Sequence, residues 1–311
     1  MSLHFLERDT IDNKKWNQAV EADSLGFPYA YTWYLDIVAD GHWCGLVLGD
    51  YEQVFPMPYN RKLWVSAQIY QPILTQQLGI FGPLEDKEIE YFLGYIPKQF
   101  KKVYLQTHQV EKVKGWRCKK RLNLILHLNK GYETIYQDYK KSLKKRIEKA
   151  QAHLLVEKVD QAKELVQLYK NQQGDRVGFS DENFDQAFRL MEAAIKHRCG
   201  KIYKVTDGNE TLFLGFFLET KNRIINLFSA ATEEGRKQHA RHFLIDHIIR
   251  ENAGKEIIFD FEGSEIPGVQ KFFRSFGAEE TYYAAYERNK LPKFWKWALD
   301  ARKKVKKGKK R

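Results

Sequence analysis

The segment "FDFEGSEIPGVQKFFRSFGA", Phe259 to Ala278, puts two carboxylates at the end of a strand-like run, just before turn residues and a basic helix. At a period of two, Phe259 and Phe261 share one face while Asp260 and Glu262 share the other, next to Gly263 and Ser264. A carboxylate at a strand end, its pKa raised by partial burial, can accept a proton from a nucleophile. The same residues also have a structural use, with Asp260 bracing the turn and Glu262 pairing with Arg274 or Arg146. On the last strand, "ETYYAAYE", Tyr282, Tyr283 and Tyr286 offer phenols that either serve a substrate or fill the core.

His239, His242 and Asp246 recur at i, i+3 and i+7 on one helix face, opposite an expected buried face of Ala240, Phe243, Leu244, His247 and Ile248. The trio is expected to face solvent or a cleft. No HExxH or comparable spacing supports a metal, and none is expected. Cys44, Cys118 and Cys199 are odd in number and far apart, which argues against a disulfide framework or a zinc site.

The elements that must position these groups read as α/β, with helices covering a mixed sheet. In the first half come a strand "LHFLERDT", a helix near Lys14–Ala22, a helical stretch at "YTWYLDIVA", and the hairpin "WCGLVLG"/"QVFPMPYN". A Gly/Pro-punctuated loop, a helix near Lys87–Tyr95 and the strands "KKVYLQTH" and "LNLILHL" complete it. In the second half, helices near Ala162–Gln172 and Asp181–His197 precede the strands "KIYKVTD", "TLFLGFFLE" and "RIINLFSAA". A helix from Gln238 to Arg250, the strand "EIIFDFEG", the helix "GVQKFFRSFG" and the strand "ETYYAAYE" follow.

Between the halves the spacing predicts one long helix from Tyr132 to His153, with Ile135, Tyr136, Tyr139, Leu143, Ile147 and Ala150 as its buried stripe. Its other side carries Lys140, Lys141, Lys144, Lys145, Arg146 and Lys149. The expected division is 1–152, 153–289 and a tail, 290–311.

The 311 residues carry a net charge of +12 and 43% hydrophobic content, enough for two folded domains. Residues 101–150 hold fifteen Lys and Arg against four acids, and residues 291–311 ten against one, leaving the remainder net acidic. Basicity so concentrated marks either an anionic partner or a solvated face. "LPKFWKWALDARKKVKKGKKR" begins as an amphipathic helix, with Leu291, Phe294, Trp295 and Ala298 on one side. It is expected to dock on the core, the alternatives being contact with a nucleic-acid backbone or with an anionic membrane through Lys296 and Trp297. With no apolar run of spanning length and no signal-peptide plan at the start, a cytoplasmic location is expected, with membrane association as the variant.

Taken in order, Ser142, Lys145, Arg146, Lys149 and Ala150 in the linking helix, Gly263, Gly268, Phe272, Phe276 and Gly277 after the acidic strand, and the loop "YQPILTQQLGIFGP" resemble the FemABX-like family of tandem GNAT-fold acyltransferases. The resemblance runs over nearly the whole chain, without the helical hairpin of some members. It implies two GNAT-like domains, each a mixed, mostly antiparallel sheet covered by helices, and transfer of an acyl or aminoacyl group to an amine in the cleft between them.

Donor contacts are implied at Phe228, Ser229 and Ala230 on the central strand, and at Arg236, Lys237, Gln238, His239 and Arg241 where a helix begins. The acceptor, including a cell-wall or lipid-linked precursor, is expected near Lys145, Arg146, Ser264, Lys271 and Arg274. Proton transfer is assigned to Glu262, Asp260 and Tyr283.

Two positions depart from the family. Coenzyme-A-binding members carry a Q/R-x-x-G-x-G/A loop, where "RKQHAR" puts His239 and Arg241 in place of glycines and leaves phosphate to arginine and lysine side chains. Many Fem relatives carry Phe-Lys where this chain has Phe272-Phe273. The donor is therefore open between acyl-CoA and aminoacyl-tRNA, with no tightly held cofactor. The contrasting readings are a non-catalytic binding module and an RNA-binding protein.

Overall fold

The computed structural model describes residues 1–60, 67–86 and 88–292. The first half contains β1 (Leu3–Glu7), α1 (Asn13–Ala22), α2 (Thr32–Val38), β2 (Trp43–Leu48), β3 (Gln53–Asn60), β4 (Gln68–Ile69), α3 (Ile89–Tyr95), β5 (Lys102–Thr107) and β6 (Arg117–His127). After it come α4 (Tyr132–Gln137), α5 (Lys141–Gln151), β7 (Leu155–Val159), α6 (Ala162–Val177), α7 (Asp181–Lys196), β8 (Gly200–Thr206), β9 (Thr211–Glu219) and β10 (Arg223–Ala231). The remainder is α8 (Glu233–Lys237), α9 (Ala240–Asn252), β11 (Ile258–Asp260), α10 (Pro267–Arg274) and β12 (Glu279–Asn289). Except for Leu291, the apolar side of the expected C-terminal helix lies outside the described residues, as does the basic tail.

The twelve strands of the described residues join one sheet in the order β1-β2-β3-β4-β5-β12-β6-β11-β10-β9-β8-β7. The last strand, β12, is inserted between β5 and β6, and β6 in turn pairs with β11. Backbone ladders therefore tie the two halves together. Each face is covered by its own core. One holds Trp16, Tyr34, Phe55 and Phe216, and the other holds Phe213, Phe217, Phe259, Phe261 and Phe276 under α5, α9 and α10. Alternation along β9 sends Phe213 and Phe217 to one core and Leu214, Phe216 and Leu218 to the other, as a strand buried on both faces requires.

One expected helix is broken and another starts two residues late. The single helix from Tyr132 to His153 becomes α4 and α5, because Lys140 N–H donates to Ser275 O at 2.9 Å and its backbone is extended, capping α5. The helix expected from Gln238 begins instead at Ala240, with Gln238 closing α8 and His239 in the left-handed region at φ 61°. Asp246, expected on an outward face, is 1% exposed and accepts a 2.9 Å hydrogen bond from Tyr132 Oη, while Phe243 and His247 are only half-buried.

Candidate active site

β10 and β11 run parallel and pair only from Arg223–Ile225 to Ile258–Asp260. Beyond that they diverge, and a bulge in β10 between Asn226 and Phe228 turns its far half away. The divergence opens a cleft of about 600 Å³ between β10, the 261–264 segment, the α8–α9 junction and α10. Along the β10 edge from Asn226 onward no described strand takes up the backbone groups that a sheet would pair.

Glu262 lies in this cleft at φ 57°, an uncommon conformation for a residue with a side chain. Its backbone N–H donates to Asp260 Oδ1 at 2.9 Å. Asp260 is fully buried and held by Arg223 Nη1 at 2.7 Å and Asn123 Nδ2 at 3.0 Å. That network leaves Asp260 outside the cleft, as a brace for the turn. Glu262 pairs with neither expected arginine, since Arg274 is bound to Glu280 at 2.7 Å and Arg146 lies against His242 at 3.3 Å. Its partner is Tyr29, whose hydroxyl donates to Oε1 at 2.6 Å. Burial pushes the Glu262 carboxyl up to about 8, partly offset by the Tyr29 hydrogen bond and reinforced by the Asp260 charge.

The opposite wall is cationic. Arg241 is half-buried, its guanidinium 4.7 Å from the Phe272 ring centre and 5.5 Å from that of Phe273. Its Nε is buried with no hydrogen-bond partner, and the side chain makes no ion pair among the described residues. Burial lowers this guanidinium to about 10. His242 is pushed down to about 3, first by burial and then by His239, Arg146 and Arg241. His239 is lowered by burial and by the nearby Arg146 and Lys149. Neutral imidazoles beside an unpaired guanidinium leave a local field suited to an anion.

The other expected residues separate clearly. Phe228, Ser229, Arg236 and Ser264 line the cleft. Ala230 points into the core at 1% exposure. Lys237 turns to Glu233 at 3.1 Å, and Gln238 joins Glu234 to His153. Lys145 and Lys271 are exposed outside it. Tyr283, 6% exposed, lies on β12 opposite Arg121, its phenol raised to about 12 mainly by burial. Sequence reasoning missed Tyr29, Arg223, Asn123 and Tyr169, whose ring stacks on Phe228 at 4.1 Å. No local pattern marks them.

Residues 137–274 match the Acetyltransferase (GNAT) domain family, and this segment supplies α5 through α10, the splayed strands included. The crystal structure of FemX is similar over 96% of this chain and 99% of its own, with a TM-score of 0.70 at 13% identity. The chain has a FemABX-like tandem GNAT fold. A conserved protein of unknown function from Bacteroides thetaiotaomicron is similar over 93% and 100%, at TM-score 0.59 and 8% identity. L-PGS from Bacillus licheniformis is similar over 90% and 93%, at 0.55 and 12%. Among curated proteins no match was found. In this GNAT fold, Gly235 and Gly263 allow the cleft walls to close up. A Cβ on either would stand 2.0 Å from a backbone carbonyl oxygen, of Leu212 and Leu122 respectively. Among the described residues, no helix is long and apolar enough to cross a membrane.

Proposed function

We propose that the protein is an N-acyltransferase that moves an acyl or aminoacyl group from an activated donor to an amine. The observation that carries this reading is Glu262, a carboxylate raised to about 8 and aimed into the cleft where the two parallel strands part. An acceptor amine attacks the donor carbonyl, forming the C–N bond and breaking the donor's thioester or ester bond. Glu262 takes the amine proton, and the leaving sulfur or oxygen is reprotonated. A base poised near neutral pH suits that task.

The β10 edge beside the bulge offers backbone donors to the carbonyl oxygen, and juxtaposition supplies much of the rate. Arg241 and Arg236 would hold donor phosphate, with the exposed lysines of α5 extending the field towards a nucleotide-bearing donor. Acyl-CoA and aminoacyl-tRNA both meet that description. Lys271 and Lys145 stand outside the cleft, and membrane contact through the C-terminal segment remains part of the proposal.

The test is a thermal-shift comparison of the full chain with acetyl-coenzyme A, an aminoacylated RNA-end mimic and uncharged RNA, at low and moderate salt. Stabilisation by either activated donor beyond uncharged RNA is the expected result, and it identifies the donor. Transfer to an amine should then fall at least 100-fold in Glu262→Gln. Silence with all three ligands, or full activity in that variant, overturns the proposal.

A further inference from the structure

The loop that brings Glu262 to the cleft continues along β6. Phe261 N–H donates to Leu124 O at 3.0 Å, Gly263 crosses the Leu122 carbonyl, and Glu265 reaches back to two cations of β6. Both contacts meet on one atom. Arg121 Nη1 lies 2.8 Å and Lys119 Nζ 3.0 Å from Glu265 Oε1. Arg121 spends Nη2 on Tyr104 Oη at 3.3 Å, and its Nε is buried without a partner. The guanidinium fork is therefore only half used.

Glu265 is a weak occupant. Its side chain is 66% exposed and Lys119 is 60% exposed, whereas Arg121 is only 24% exposed. Exposed pairs of this kind contribute little, because water screens the charges and the side chains lose freedom in forming them. A ligand oxyanion in place of Glu265 would give Arg121 Nη1 and Lys119 Nζ an oxygen each, where Glu265 offers both the single atom Oε1. Arg121 stands opposite Tyr283 in the β6–β12 register, and the Tyr283 phenol feels the charges of both Arg121 and Glu262. From Glu262 to Glu265 the chain spans at most about 10 Å.

We propose that Arg121 and Lys119 form an oxyanion subsite for the acceptor, and that Glu265 fills it in the free protein until the acceptor displaces it. The acceptor is then an amine that also bears a carboxylate or phosphate. This rests on the acyltransferase reading of the cleft, with the donor on the Arg241 side.

Calorimetric titration of the full chain with glutarate and with inorganic pyrophosphate tests it, in Arg241→Gln as well as wild type so that the second cationic wall is discounted. Glu265→Gln should tighten binding of one probe at least fivefold, and which probe responds distinguishes a carboxylate from a phosphate acceptor. Adding Arg121→Gln should cancel the gain, and Arg121→Lys should restore only part of it. Glu287→Gln, which removes an exposed acid 3.6 Å from Arg117 on the same strand pair, should change nothing. Equal tightening by Glu287→Gln, indifference to Arg121, or no binding of either probe to any variant overturns the subsite. Donor-probe thermal shifts should be unaffected by Arg121→Gln. If donors fail to bind while pyrophosphate or glutarate follows Arg121, the subsite stands and the transfer reading falls.

Discussion

The Tyr29 hydroxyl donates a 2.6 Å hydrogen bond to Glu262 Oε1 across 233 residues of chain. It orients one carboxylate oxygen and leaves the other to the cleft. It also favours the ionised form, opposing the burial that raises the carboxyl to about 8. The first half of the chain thereby sets the charge state of a group delivered by the second.

Replacing Tyr29 with Phe should move the ascending limb of the pH–rate profile to higher pH. A hydrogen bond to a charged group contributes about 1.5–3 kcal/mol, or roughly one to two pKa units. Transfer at pH 7 should fall about tenfold and recover near pH 9. A profile with an unmoved limb would separate Tyr29 from the protonation of Glu262.

Glu262 should also leave a mark on stability. Its carboxyl is raised from the ordinary value of 4.5 to about 8, so the folded state holds a proton that the unfolded chain releases. The stabilisation is complete below 4.5 and is lost as pH rises through 8. Urea titrations from pH 4 to 9 should show wild type losing stability relative to Glu262→Gln over that window. Parallel curves would refute the shift.

The Arg223–Asp260 pair is buried, with side chains 5% and 1% exposed. Arg223→Leu should cost about 3–5 kcal/mol, because it leaves an uncompensated buried charge. Adding Asp260→Asn should recover part of that loss in denaturant unfolding. Additive losses would mean that the two groups do not act as a pair.

Gly235→Ala should destabilise the protein by more than about 1 kcal/mol and abolish stabilisation by the donor, since its Cβ would collide with backbone rather than with a yielding side chain. Gly94→Ala, with nothing within 4 Å and a helical position in α3, should be neutral or slightly stabilising. Differential scanning calorimetry with and without donor measures both.

Much of the cleft's second-half side could be read locally. The two-residue alternation that separates Phe259 and Phe261 from Asp260 and Glu262 holds through the end of β11, because a buried strand must send alternate side chains to opposite faces. Helix breaks were not legible in the same way. The stripe from Ile135 to Ala150 has the right period on both sides of the break, yet Lys140 N–H is taken by Ser275, far along the chain.

By itself the sequence determined the α/β class, the acidic strand end, the basic α5 and the cationic helix start at Arg241, since each follows from residue type and near-neighbour spacing. Only the tertiary structure decided that Asp260 is a brace, that Glu262 opens to the cleft, and that Arg121 pairs with Glu265 and sits opposite Tyr283. Those roles depend on desolvation and on partners such as Arg223, Asn123 and Tyr29, and the insertion of β12 between β5 and β6 is what brings such distant residues together.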